Sequence, residues 1–160
     1  MMMTMTPSDT ELYRAHAAEL IRYATVLVGP DDAPDVVADA VIGAFTSPKW
    51  RHVEHPRAYL FRSVLNTATA RHRSQSRRDR RERTVAVRSV LAAEPSSEAR
   101  LDVHDALGRL SPQQRAVVFL AYWEDRTPAD IAEILGIGEG SVRKQLARAR
   151  AQLREVIDHV

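Results

Sequence analysis

The sequence predicts an all-α protein of two small helical domains joined by a flexible linker, with a helix-turn-helix in the C-terminal domain. Three observations predict it. Apolar residues recur at spacings of three and four along both halves of the chain, the period of an amphipathic helix. Proline and glycine stand at the ends of these runs, as at Gly29, Pro30, Pro56, Pro112, Pro128 and Gly136. An arginine-rich stretch with a weak apolar pattern separates the halves.

Composition sets the outer bounds. The 160 residues are 44% hydrophobic and 28% charged, which describes a globular chain rather than a disordered one. No apolar run approaches the roughly 20 residues that span a bilayer, so no membrane insertion and a cytoplasmic location are expected. The chain has no cysteine, which excludes disulfides, a thiol switch and zinc sites that need sulfur. Lys and Arg total 23 against 21 Asp and Glu, a net charge of +2 that decides little. Its distribution decides more. Asp31, Asp32, Asp35 and Asp39 crowd one segment, whereas arginines dominate residues 71–83 and 143–154, so separate surfaces suit a protein partner and nucleic acid.

The N-terminal domain is placed at residues 9–73. Residues before it carry no pattern beyond a helix cap at Ser8 or Asp9. The first helix carries Leu12, Ala15, Leu20, Ala24 and Leu27 and stops at Gly29-Pro30. A second starts at Asp31 or Asp32, whose carboxylates face the positive end of the helix dipole, and carries Val36, Val37, Ala40, Val41 and Ala44. Residues 46–56 read as a loop with two prolines, two histidines and Trp50. A third helix then starts at Pro56, whose missing amide hydrogen costs nothing in a first turn, and runs toward Arg73.

Residues 74–97 form the basic flexible linker, with Arg77, Arg78, Arg80, Arg81 and Arg83, a short apolar stretch at 85–91 and a break at Pro95, Ser96 and Ser97. The C-terminal domain, residues 98–160, opens with a short helix carrying Leu101, Val103, Ala106, Leu107 and Leu110. Ser111 and Pro112 cap and start the next, which buries Val117, Val118, Leu120 and Ala121. Thr127 and Asp130 form a capping box before Ile131, Ile134 and Leu135, and Gly136 permits the tight turn that follows.

The last helix starts at Gly138 or Glu139. Val142, Leu146, Ala149 and Leu153 lie on one stripe, while Ser141, Lys144, Gln145 and Arg148 fall opposite, with Arg143 and Arg150 toward one flank. That division suits a recognition helix in a DNA groove. Ser141, Lys144 and Gln145 have the donors and acceptors to meet base edges, and Arg143, Arg148 and Arg150 suit phosphates. A solvated cationic face is the plainer reading of the same residues, and the caps, turn and apolar stripes together favour DNA.

With those residues in hand, the chain resembles the extracytoplasmic-function group of bacterial sigma factors, small two-domain initiation subunits of RNA polymerase. The resemblance rests on Leu110-Ser111-Pro112-Gln113-Gln114-Arg115, on residues 131–137 and 146–150, and on the helical stretches 12–29, 32–45 and 56–73. It implies a promoter-specificity subunit, without catalysis or cofactors, whose partners are the RNA polymerase core, promoter DNA and an anti-sigma protein. It implies that Asp35, Val36 and Asp39 dock on the polymerase. It also implies that residues 47–55 and the helix after them capture opened promoter DNA, through Trp50, His52, Arg62, Asn66, Arg71 and Arg73, with opening driven by binding energy. Trp50 equally suits the closing of a hydrophobic core, and His52 with His55 makes a weak metal signal. Two positions depart from the family pattern: Gly43 replaces a basic residue, and Gly138 a capping Ser. A stand-alone helix-turn-helix regulator and a protein-interaction module that never uses DNA are the rival readings.

Overall fold

The computed structural model describes residues 6–81 and 106–158, and every described element is helical. Helix α1 (Pro7–Val28) starts earlier than the sequence suggests. The cap is Thr6, whose hydroxyl accepts from the Asp9 amide at 3.2 Å while Asp9 accepts from the Thr6 amide at 3.2 Å, with Pro7 in the first turn. It ends at Gly29, where φ is +91°. Helix α2 (Ala33–Thr46) follows after a tight turn, and a single 3-10 turn over Trp50–His52 leads into α3 (Pro56–Arg81).

Helix α3 continues past Arg73 into the segment expected to begin the linker. Residues 74–81 contain neither Gly nor Pro and are rich in arginine, a good helix former, so nothing in them stops the helix. Arg83, the apolar stretch 85–91, the break at 95–97 and the helix start near Leu101 and Val103 lie outside the described residues.

Among the described residues of the C-terminal region, 106–108 are helical (α4) and are followed by α5 (Pro112–Val118), capped reciprocally by Ser111 and Gln114. The chain then widens into a π-helical segment, Phe119–Trp123, closed by the Glu124 amide donating to the Phe119 carbonyl at 3.2 Å. Asp125 takes φ +51°, and α6 (Pro128–Leu135) starts on the expected Thr127–Asp130 capping box. Gly136, at φ +68°, turns the chain into α7 (Glu139–Asp158).

Helices α1, α2 and α3 pack together, as do α5, α6 and α7, and α3 also packs on α5 and α6. The two regions share one continuous core. Leu20, Tyr23, Leu60 and Phe61 from the first and Phe119, Leu120 and Ile131 from the second are all at most 1% exposed. Tyr23 sits at the junction, its ring 4.7 Å from Phe61 and 5.3 Å from Phe119. Each such large apolar side chain contributes roughly 1.5–3 kcal/mol by leaving water. Burial also pushes the Tyr23 phenol far above its ordinary pKa, so it stays protonated.

Guanidinium groups cross the same junction. Arg57 pairs with Glu19 of α1 and reaches Glu124 at 3.5 Å, while its charge lies 4.8 Å from the centre of the Phe61 ring. Arg115 donates to the Leu27 carbonyl at 2.6 Å and to the Leu107 carbonyl at 2.7 Å. Arg62 donates to the carbonyls of Ile134 at 2.8 Å and Glu133 at 2.5 Å. Backbone carbonyls at helix C-termini lack intrahelical partners, and cations are favoured there.

Candidate nucleic-acid interface

Helix α7 divides as its sequence predicts. Val142 and Ala149 are fully buried and Leu146 is nearly so, which fixes the helix against α5 and α6. Ser141, Arg143, Lys144, Arg148 and Arg150 are exposed and Gln145 is half-buried. Two of the arginines already have partners. Arg143 pairs with Glu139 one turn earlier at 2.7 Å, and Arg150 Nε donates to the Tyr122 hydroxyl at 2.6 Å. Ser141, Lys144 and Arg148 therefore form the open centre of the outward stripe. Gly138 lies outside the left-handed region, and a Cβ there would meet only the Ser141 hydroxyl, at 3.9 Å.

Tyr122 and Trp123 are exposed because the π-helical segment adds a residue to the turn and rotates them off the buried face. They are 53% and 70% exposed, and Trp123 stacks on Phe119 with centroids 6.2 Å apart.

Helix α3 sorts the residues expected to hold opened DNA. At about 100° per residue, Arg62, Asn66 and Arg73 share one stripe, and all three are exposed. Arg77, also exposed, extends that stripe. Arg71 falls on the opposite side of the helix and lies 3.6 Å from Asp32 at the start of α2. Arg62 is committed to the end of α6, as described above.

The loop after α2 places the remaining two. His52 is exposed. Trp50 is half-buried, its ring 4.9 Å from Phe45 and 5.6 Å from Tyr59, and its indole N–H donates to Asp9 at 2.9 Å. That hydrogen bond is the largest influence holding the Asp9 carboxyl below its usual pKa; burial opposes it, and bonds to Thr6 add to the lowering. Beside these residues lies an open cavity of about 880 Å³, lined among others by Leu12, Phe45, Trp50, Arg51 and His52.

The expected docking residues divide. Asp35 and Asp39 are exposed, but Val36 is 0% exposed and belongs to the core. One residue step on a helix turns the side chain by about 100°, which moves Val36 from the outward carboxylate stripe to the inward stripe of Val37 and Ala40. Val36 therefore supports the α2 surface from beneath and presents nothing to a partner. Ile42, which the sequence reading passed over, completes the outward stripe with Asp35, Ala38 and Asp39 and is 50% exposed.

Among the described residues, no group of His, Asp or Glu is arranged to hold a metal, and no helix is long and apolar enough to cross a membrane.

Comparison with known proteins covers both regions. The family model for sigma-70 region 2 matches residues 12–78, and that for sigma-70 region 4 matches residues 100–153. The chain is 34% identical to the RNA polymerase sigma-E factor of Streptomyces coelicolor over 149 residues, covering 91% of this chain and 83% of the relative. It is 34% identical over 160 residues to the ECF RNA polymerase sigma factor SigL of Mycobacterium tuberculosis, covering 89% of this chain and 85% of that one. In fold it is similar to the sigma factor RpoE of Bartonella quintana, solved in complex with the anti-sigma factor NepR. There the TM-score is 0.74 at 24% identity, over 96% of this chain and 98% of the other. It is also similar to CnrH, solved with the cytosolic domain of CnrY, with a TM-score of 0.63 at 24% identity, over 94% and 88% of the two chains.

Proposed function

The chain belongs to the extracytoplasmic-function family of RNA polymerase sigma factors, and from that premise we propose that its two regions divide promoter recognition between a duplex element and an opened one. Sigma factors are not enzymes. Bond formation belongs to the polymerase, and the chain acts in the cytoplasm by positioning it.

The observation that carries the reading is the two-sidedness of α7. Its buried stripe anchors the helix, and Ser141, Lys144 and Arg148 stand outward in line. In a major groove, Lys144 and Gln145 meet base edges with Ser141, while Arg143, Arg148 and Arg150 approach phosphates. Arg143 and Arg150 exchange their partners Glu139 and Tyr122 for DNA when they do so.

The first region supplies the other two surfaces. Asp35, Asp39 and Ile42 on α2 join carboxylates to an apolar contact, a combination that suits a basic, partly apolar surface on the core enzyme. The cavity beside Trp50 and His52, with the α3 stripe of Asn66, Arg73 and Arg77, suits unstacked bases and their backbone. Arg62 joins that stripe only after leaving α6, and Arg71 serves the packing of α3 on α2.

An anti-sigma protein is a further partner to expect, since the structural neighbour from Bartonella quintana was solved with an anti-sigma factor. Run-off transcription with purified core polymerase tests the proposal. Initiation at defined start sites that depends on this chain supports it. Duplex binding without initiation returns the chain to the role of a stand-alone regulator.

A further inference from the structure

We propose that Asp9 is a positioning residue for promoter opening: by holding the indole edge of Trp50 it fixes one wall of the cavity in the 47–55 loop. The inference rests on the reading of that loop as the place where opened DNA is received. It adds a residue from outside the region-2 match, which begins only at residue 12.

The geometry ties three segments together. Phe45 at the end of α2 and Tyr59 in the first turn of α3 flank the Trp50 ring, leaving its N–H edge as the free coordinate. Asp9 Oδ1 takes that edge at 2.9 Å across 41 residues of sequence. The other carboxylate oxygen, Oδ2, accepts the Thr6 amide in the α1 capping box and adds to the hold on this group. Helix α1 is in turn seated in the core by Leu20 and Tyr23.

The cavity beside this ring has the composition that a displaced base requires. Leu12, Phe45 and Trp50 supply apolar and aromatic walls, and exposed His52 and Arg51 supply polar and cationic groups at its mouth. Base stacking on an aromatic side chain depends on the ring's orientation, and a half-buried indole without its acceptor turns its N–H toward water. Asp9 also lines the cavity, and its loss disturbs that cavity chiefly by freeing the Trp50 ring.

The test uses the full chain with core polymerase on a start site mapped with that holoenzyme. Unpaired thymines are scored by permanganate, and the Trp50 indole N–H is followed by ¹⁵N NMR. Asp9→Ala should lower open-complex yield about tenfold, the scale of a lost charge-assisted hydrogen bond, with core affinity and duplex binding unchanged. Asp9→Asn keeps one carbonyl oxygen for the indole while giving up the reciprocal bond to Thr6, so it should restore most opening; equal loss in both variants would make the effect one of helix capping and overturn the inference. If Asp9→Ala does not fold, Trp50→Phe deletes the donor and keeps a ring, and it should show the same defect. Normal opening with the indole bond demonstrably lost overturns the role of Asp9. His52→Ala separates the premise: impaired opening there, with normal opening in Asp9→Ala, sinks only this inference, whereas normal opening in both sinks the reading of the loop.

Discussion

The guanidinium of Arg62 closes the C-terminal end of α6 by donating to the carbonyl of Ile134 at 2.8 Å, so a residue on the α3 stripe proposed to hold opened DNA is held by the helix-turn-helix. Arg115 makes the reciprocal contact, reaching from α5 to the Leu27 carbonyl near the end of α1. Each region thus caps a helix of the other. Arg62 cannot hold a DNA backbone while it holds Ile134, and the shared aromatic core around Tyr23 keeps the two regions in this closed arrangement.

Arg62→Ala should loosen that arrangement. Two carbonyls lose their donor, a change of about 1 kcal/mol for a partly exposed site. The absence of native cysteine allows clean dye labelling at engineered cysteines replacing exposed Glu11 and Ala151. Energy transfer between them should fall in Arg62→Ala relative to the unmodified pair. Unchanged transfer would show that the apolar core alone sets the closed state.

Gly136→Ala tests the same contact from the other side. At φ +68° any side chain is strained, and a Cβ would sit 3.1 Å from the Arg62 guanidinium carbon. The strain alone costs about 1–2 kcal/mol. Thermal unfolding should fall by several degrees, and Arg62→Ala should recover part of the loss by removing the clash.

Much of this fold was legible because caps and stripes are local. The Thr127–Asp130 capping box, the Ser111 cap with Pro112 in the first turn, and the α7 stripe of Val142, Leu146 and Ala149 all stand where the sequence puts them. The N-terminal cap was misplaced by two or three residues, since Thr6 and Asp9 make a capping box with the shorter carboxylate and Pro7 between them. Contacts between distant segments were not legible. Nothing local marks Arg62 or Arg115 as bound to carbonyls 72 and 88 residues away, or Asp9 as the acceptor for Trp50. The resemblance, in turn, assigned a docking segment without resolving its faces, which is how buried Val36 was grouped with Asp35 and exposed Ile42 was passed over.

The α2 surface gives a paired prediction. Asp39→Arg should weaken capture by core polymerase about tenfold, mainly through slower association, and leave folding intact because Asp39 is exposed. Val36→Asp places a carboxylate in a fully buried site and should cost several kcal/mol of stability. Pull-down with core polymerase and thermal unfolding separate the two. Unchanged core affinity in Asp39→Arg would remove this surface from docking.

On α7, Lys144→Ala should impair selection of the upstream element and preserve folding and core binding. Binding measured on the mapped element and on a scrambled duplex decides between roles: equal weakening on both would make Lys144 a phosphate contact. Tyr122→Phe should leave selectivity alone, since it only frees Arg150 from the 2.6 Å hydrogen bond.

The Glu19–Arg57 pair should make the stability of the closed arrangement pH-dependent. Burial pushes the Glu19 carboxyl upward, but the hydrogen bond and charge of Arg57 outweigh it, so Glu19 titrates below its ordinary value of 4.5. A carboxylate with a lowered folded-state pKa stabilises the fold above the unfolded value and loses that contribution as pH falls through the folded value. Its partner Arg57 stays charged throughout, its own pKa raised first by the hydrogen bond to Glu19. Glu19→Gln should therefore be less stable than the unmodified chain near neutrality by about 1 kcal/mol, a Tm difference of roughly 2–4 °C. That difference should shrink below pH 4.5 and vanish once the Glu19 carboxyl is protonated. A difference that persists undiminished in acid would mean that the side chain supports the junction through packing, with its charge contributing nothing.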